Sequence, residues 1–440
     1  MSFTFIDLFA GIGGFHGALS AMGGECVYAV EIDPQAAEVY RRNWHRDALG
    51  DITKDVTENK VNVPTHDVLV AGFPCQPFSK SGAQRGMDET RGTLYWNILR
   101  IIEEHHPSLV VLENVRNLVG PRHIHEWNLI IRTLREAGYR VSSTPLILSP
   151  HMINRLDGGR PQVRERVFVV AVHSDALEND VDEDVFPLDL SSVLRSDEDC
   201  EWDLFRDLPI SSDDSDVTRL SEAEILWIDA WDDFVKQMWR LRDVRLPGFP
   251  LWADAWTLPD DLEIDRGTPK WKADFLRKNA FFYEQHQDFI DEWTKRWDVY
   301  GESFPPSRRK LEWQAQDTKS LWDTVMHMRP SGIRAKRATY LPALVAITQT
   351  SILGPLRRRL SPEEAARLQG LPRWFSFDGQ SAAATYKQLG NGVNIGVVWQ
   401  VIRHAIQENR DLLARTTPGL VDAFESSIGS IDEILESLGK

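Results

Sequence analysis

The sequence predicts an α/β fold: a doubly wound, Rossmann-like sheet carrying a second, smaller domain. Three observations point to it. Over the first 172 residues a short β-branched or aromatic run, a turn and an amphipathic stretch recur, as they do in the βα units of a parallel sheet. After Val172 the alternation stops in a region of Asp, Glu, Ser and Trp. Beyond Leu353 regular signals return, with Ser361 as an N-cap before Pro362, Glu363 and Glu364 and an apolar run from Val393 to Ile402. A length of 440 residues, at roughly 150 per domain, has room for two or three such units.

Taken in order, the hydrophobic runs predict strands at 3–8, 25–31, 68–72, 109–113, 144–148 and 166–172. Amphipathic stretches between them predict helices at 15–22, 34–43, 94–105 and 124–137. Strands alternating with helices on this scale place ligands at the carboxyl ends of the strands, so the loops that follow strands are where function is expected. Eleven of the 16 tryptophans fall between Trp202 and Trp322, too aromatic a region for a linker, and it is read as a second domain with a tryptophan-rich core.

Composition narrows the function classes. With 42% hydrophobic and 26% charged residues the chain is an ordinary globular protein rather than a disordered one. No apolar run approaches the roughly 18 residues of a membrane span, and no basic segment precedes a signal core, so a cytoplasmic protein with no membrane partner is expected. Cys26, Cys75 and Cys200 are too few for a disulfide framework, and none sits in a C-x-x-C pair, so no metal site is expected. The net charge of −16 argues at first against a polyanionic partner. Residues 175–265, however, hold 27 acidic against 7 basic residues, and the remainder has 39 acidic against 43 basic. The acidity belongs to one segment, and screening over about 8 Å lets a polyanion bind elsewhere on the surface.

Chemistry-bearing motifs follow the strands. The first loop, Asp7-Leu8-Phe9-Ala10-Gly11-Ile12-Gly13-Gly14, opens a helix, and its glycines allow close approach of a ligand to a helix N-terminus. With Glu31 at the end of the second strand, this pattern suits a nucleoside-containing cofactor, a nicotinamide dinucleotide included. The third strand runs into Gly72-Phe73-Pro74-Cys75-Gln76-Pro77, a thiol held between two prolines at the sheet edge. Glu113 ends the fourth strand as a candidate general acid. In Gln162-Val163-Arg164-Glu165-Arg166 alternation sets both arginines on one face, where they are able to hold an anion or a polarised carbonyl.

These residues resemble the cytosine-5 DNA methyltransferase family, modification methylases of bacterial or archaeal type. The blocks F-A-G-I-G-G (Phe9 to Gly14), P-C-Q (Pro74 to Gln76), E-N-V (Glu113 to Val115), Q-V-R-E-R, R-L-S-P-E-E-A-A-R-L-Q-G-L-P (Arg359 to Pro372) and Q-L-G-N-G-V (Gln388 to Val393) stand in the family's order. Gly159-Arg160-Pro161 and Gly392 depart from it without touching a reactive atom. The resemblance implies a Rossmann-like, S-adenosylmethionine-dependent domain spanning 1–185 and completed by 375–440, with a target-recognition domain at 186–374. It implies Cys75 as nucleophile towards carbon 6 of cytosine, Glu113 as acid at ring nitrogen 3, and Arg164 and Arg166 at the carbonyl oxygen or a phosphate. For the cofactor it implies Phe9, Gly11, Gly13 and Gly14 around the methionine part, Glu31 on the ribose and Asp51 and Ile52 at the adenine. Ile32 and Pro74 join the same set, and Asn391 and Val393 close the methionine end.

A thiolate reaches carbon 6 only if the base leaves the duplex, which costs a few kcal/mol offset by contacts to phosphates and to the unpaired partner base. Clusters at Arg308-Arg309-Lys310 and at Arg329, Arg334, Lys336 and Arg337 are candidates for those contacts. The expected partner is therefore double-stranded DNA bound by a monomer, with a cognate restriction endonuclease as a second partner. An RNA cytosine-5 methyltransferase and a dinucleotide-dependent oxidoreductase are the alternatives. The first has no need of so long an insert, and the second leaves Pro74-Cys75-Gln76 and Glu113-Asn114-Val115 without a task.

Overall fold

A computed structural model describes residues 2–74, 93–174, 185, 187–210, 216–243, 245–344 and 350–439. The first unit is built on strands β1 (Thr4–Leu8), β2 (Glu25–Val30), β3 (Val68–Gly72), β4 (Leu109–Val115), β5 (Tyr139–Val141), β6 (Leu146–Leu148) and β7 (Arg166–His173). Their order is β2-β1-β3-β4-β7-β5, with β6 also paired to β7. The first four strands are parallel, and β7 runs antiparallel to its neighbours. This reversal brings the start of β7, at Arg166, beside Val115 at the carboxyl end of β4. Strand β5 was absent from the expected set because three residues, Tyr-Arg-Val, carry too little periodicity to register.

Both faces of the sheet are buried, so the strands read as nearly continuous apolar runs. Phe5, Val70, Val111 and Phe168 point to one side, where helices α1 (Gly14–Ala21) and α2 (Pro34–Trp44) pack. Ile6, Leu69, Val110 and Val169 point to the other, covered by α3 (Leu94–His105) and α4 (Ile124–Glu136). Among the described residues no helix is long and apolar enough to cross a membrane.

The second unit contains α5 (Glu222–Arg242), whose Ser221 and Glu224 form a capping box, then α6 (Lys270–Gln285) and α7 (Gln287–Arg296). Its sheet joins β8 (Leu251–Trp252), β9 (Lys310–Gln314), β10 (Thr324–Arg329), β11 (Gly332–Arg337), β12 (Ile352–Leu353) and β13 (Arg358–Arg359) in the order β8-β9-β11-β10-β12-β13. Trp231 and Trp293 are fully buried in its core, each donating its indole N–H to a backbone carbonyl, of Arg308 and Ala230 respectively. The tryptophans thus build the interior of this unit.

The chain then returns to the first unit through α8 (Pro362–Leu368), α9 (Ala382–Asn391) and α10 (Ile395–Glu408). Leu368, Leu389, Ile395 and Val398 share a core with Phe5 and Val70. Leu190, Val193, Leu204 and Leu208 lie in that core too, as do Leu360 and Ala365. The first core thus takes in residues from inside the span 186–374. The separate core of the second unit runs from Leu220 to Ile352, and a bridge between Arg219 and Arg358 closes the neck. Aliphatic residues spaced singly among acids hid this packing from the sequence pattern.

Candidate active site

The carboxyl ends of β1 to β4 and the start of β7 open on a cleft of about 440 Å3. Ten of the predicted residues line it: Phe9, Gly11, Glu31, Ile32, Asp51, Ile52, Pro74, Glu113, Arg166 and Asn391. After β1 the backbone turns through left-handed conformations at Phe9 (φ 56°) and Gly11 (φ 54°), a strained entry into α1 of the kind that recurs at ligand sites. Glu31 ties this loop to the next: its two oxygens accept the Gly11 amide at 2.9 Å and the Asp33 amide at 2.8 Å. Asp51 caps the one-turn helix Ile52–Asp55, and the hydroxyl and amide of Thr53 hold its carboxyl below the ordinary range. Ile32 is 70% exposed, an apolar surface in the cleft wall beside these carboxylates. Ionised acceptors beside an apolar face suit a ribose and a purine ring.

At the other end of the cleft β4 delivers Glu113, paired in register with Gly72 of β3. A Cβ at Gly72 would sit in ordinary contact with Glu113 Oε2, at 3.5 Å, so this glycine borders the acid directly. Arg166 Nε lies 2.9 Å from Glu113 Oε1 as an ion pair that lacks the alignment of a hydrogen bond. Burial raises the Glu113 pKa, outweighing the lowering by Arg166 and Arg164. Asn114 points to the other sheet face and donates from Nδ2 to the Phe73 carbonyl at 2.9 Å, fixing the chain where it enters Pro74. Cys75 follows directly in sequence and lies outside the described residues.

Four predicted residues stand behind the cleft rather than in its wall. Gly13 (φ 89°) packs under the Trp44 indole, where an added Cβ would fall 2.1 Å from Nε1. Gly14 packs on Val393, whose Cγ2 would lie 2.6 Å from a Cβ there. Arg164 is buried, and its guanidinium donates to the carbonyls of Gly390 and Gly392 instead of reaching the cleft. Strand alternation does not run through this segment, since Arg164 and Glu165 lie between the strand Gln162–Val163 and β7, and Arg166 is the arginine that lines the cleft. Sequence reasoning missed Asn114 as the anchor of Phe73, and it missed Lys387. The Lys387 ammonium pairs with Asp33 at 3.1 Å across the cleft wall, a contact between residues too distant in sequence for any local signal. Cys26 is buried, its thiol pushed up to about 12 chiefly by desolvation, and Cys200 is exposed.

An open sheet with a glycine turn into its first helix, a carboxylate after the second strand and an acid–arginine pair at one edge is the architecture of a Rossmann-like methyltransferase. The profile of the family described as C-5 cytosine-specific DNA methylase matches residues 3–407. The chain belongs to this family and is a DNA (cytosine-5-)-methyltransferase. It is similar to the Type II methyltransferase M.AluI of Cellulosimicrobium cellulans, 48% identical over 510 aligned positions that cover 98% of each chain. It is also similar to the Type II methyltransferase M.HhaI of Haemophilus parahaemolyticus, 42% identical over 171 residues, 39% of this chain and 49% of that one. Among solved structures, the Dnmt2 methyltransferase of S. pombe aligns over 93% of this chain and 99% of its own, with a TM-score of 0.47 at 16% identity.

Proposed function

We propose that the chain methylates carbon 5 of a flipped-out cytosine in duplex DNA, with S-adenosylmethionine as donor and Cys75 as nucleophile. One observation carries the reading. The Glu113–Arg166 pair, the Pro74 end of the nucleophile loop and the Phe9, Glu31 and Asp51 loops line a single cleft. The donor supplies an electrophilic methyl group on a sulfonium. The protein's part is to make carbon 5 of the base a nucleophile. Addition of the Cys75 thiolate at carbon 6 sends electrons towards ring nitrogen 3, where Glu113, its proton affinity raised by burial, provides a proton. Arg166, paired with Glu113, supports the carbonyl oxygen of the base and keeps the acid oriented. Loss of the carbon 5 proton and of the thiol then releases the methylated base. The donor fits the residues present: Glu31 at the ribose hydroxyls, Asp51 at the exocyclic amine, Ile32 and Ile52 against the purine, and Asn391 towards the methionine end.

The unit from 220 to 352 is assigned target recognition. On β10 and β11, Arg329, Arg334 and Lys336 stand close together: burial first, and then the charge of Arg334, lowers the proton affinity of Arg329 and Lys336, beside the acid Glu312 that pairs with Arg334. Such an excess of cations is what a phosphate-facing surface needs. Past Arg337 the chain reaches Leu341–Pro342, which pairs in parallel with Gln162–Val163 just before Arg166, so the strand after this cluster joins the segment that leads into β7. Kinship to proteins named Type II methyltransferases supports a place beside a restriction endonuclease of the same specificity.

Incubation with methyl-labelled S-adenosylmethionine and duplex DNA, followed by sequencing for modified cytosine, tests the proposal. Label in 5-methylcytosine at one recurrent sequence is expected. Transfer to a folded RNA but to no duplex would overturn it.

A further inference from the structure

The structure assigns Arg164 a task that its place in the arginine strand conceals: we infer that it is a positioning residue for the cofactor site, clasping the C-terminal block onto the catalytic sheet. Arg164 is 2% exposed. Nη1 donates to the Gly390 carbonyl at 3.0 Å and Nη2 to the Gly392 carbonyl. Gly390 belongs to the last turn of α9, where carbonyls lack partners within the helix and the helix dipole is negative. A planar fork that bonds two of these carbonyls fixes the end of the helix, and a lysine cannot reproduce that geometry. What the fork holds is one wall of the cleft: Gly390 and Asn391 line it, and Val393, one residue beyond Gly392, packs against Gly14 of the first loop. The Arg164 backbone is itself held, its amide donating to Ser149 Oγ at 2.8 Å. Arg166, two residues on, reaches Glu113. The stretch from Arg164 to Arg166, where the chain enters β7, thus serves the substrate end with its second arginine and the cofactor end with its first.

The inference rests on the proposed S-adenosylmethionine site, and the test separates the two. Calorimetric titration of the full-length protein with S-adenosylhomocysteine, without DNA, first asks whether the site exists. No binding to the unsubstituted protein would remove the cofactor reading itself. Given binding, Arg164→Lys is expected to weaken it at least tenfold, to raise the KM for the donor in parallel, and to leave kcat at saturating donor within about threefold. Arg166→Lys is expected to show the opposite split, with kcat lowered and cofactor affinity kept. Should Arg164→Lys fold poorly, amide exchange in the unsubstituted protein gives a second readout, because the peptide 388–395 must gain protection when S-adenosylhomocysteine is added. Unchanged cofactor affinity in Arg164→Lys, a collapse of kcat at saturating donor, or a peptide indifferent to the ligand would each overturn the assignment.

Discussion

Glu113 shows how one side chain acquires its role from its surroundings. A carboxyl group at the end of a strand would ordinarily be ionised above pH 4.5; this one is desolvated beneath the cleft, and the arginine beside it does not reverse the effect. The protonated form is the active one in the proposed chemistry. Activity is therefore expected to fall as pH rises through a pKa displaced above 4.5, against an opposing limb from Cys75, whose thiolate forms as pH rises. Replacing Glu113 with Gln is expected to lower kcat by roughly 10²- to 10⁴-fold and to abolish the limb that falls at higher pH, as read from a pH profile of kcat/KM. Asn114 acts at one remove, through the Phe73 carbonyl. Asn114→Ala is expected to cost about 10² in kcat, the effect of misplacing a reacting group by an ångström, with donor KM unmoved. The motif around Glu113 was legible in the sequence. Asn114 was not, because its partner lies 41 positions away on another strand.

At the level of the element, the glycine loop turns into α1, and two of its glycines also meet a packing need that the sequence did not show. Gly13 and Gly14 make room for Trp44 and Val393. Trp44 donates its indole N–H to the Ile12 carbonyl at 2.9 Å and stacks on His16 at 4.7 Å, so it braces the loop from behind. An alanine at Gly13 meets both a left-handed backbone and the indole, a combined cost of about 2–4 kcal/mol. A thermal midpoint lowered by several degrees is the expected reading for Gly13→Ala. Hydrophobic periodicity located the four parallel strands because burial on both faces leaves long apolar runs, whereas the reversal of β7 leaves no trace in composition. Its consequence, Arg166 beside the end of β4, became visible only in three dimensions.

For the whole molecule, the order of six motifs made the family legible, and the return of the chain to its first domain with it. The neck was not legible. Leu190 to Leu208 fall in the acidic segment expected to open the second domain, yet they pack on the catalytic core, and Asp207 and Glu201 are paired with Arg155 and Arg337. The acidic segment is thus partly compensated by basic residues of both units, which agrees with a protein that binds a polyanion despite a charge of −16. If the β10–β11 face carries phosphate, Arg334→Gln and Lys336→Gln will each weaken binding alike on all duplexes and reduce the slope of log Kd against log salt by about one. Slopes unchanged in both variants would move the DNA to another surface.

In the proposed chemistry Cys75 bonds to carbon 6 of the target cytosine beside Glu113 and the donor. A duplex containing 5-fluorocytosine tests it, since fluorine does not leave as the carbon 5 proton does and the adduct cannot resolve. With S-adenosylmethionine present, mass spectrometry of the digested complex is expected to find nucleotide attached to the peptide bearing Cys75 and to no other. Methyl transfer to ordinary cytosine with no trapped species, or a trapped species on a different residue, would contradict the account.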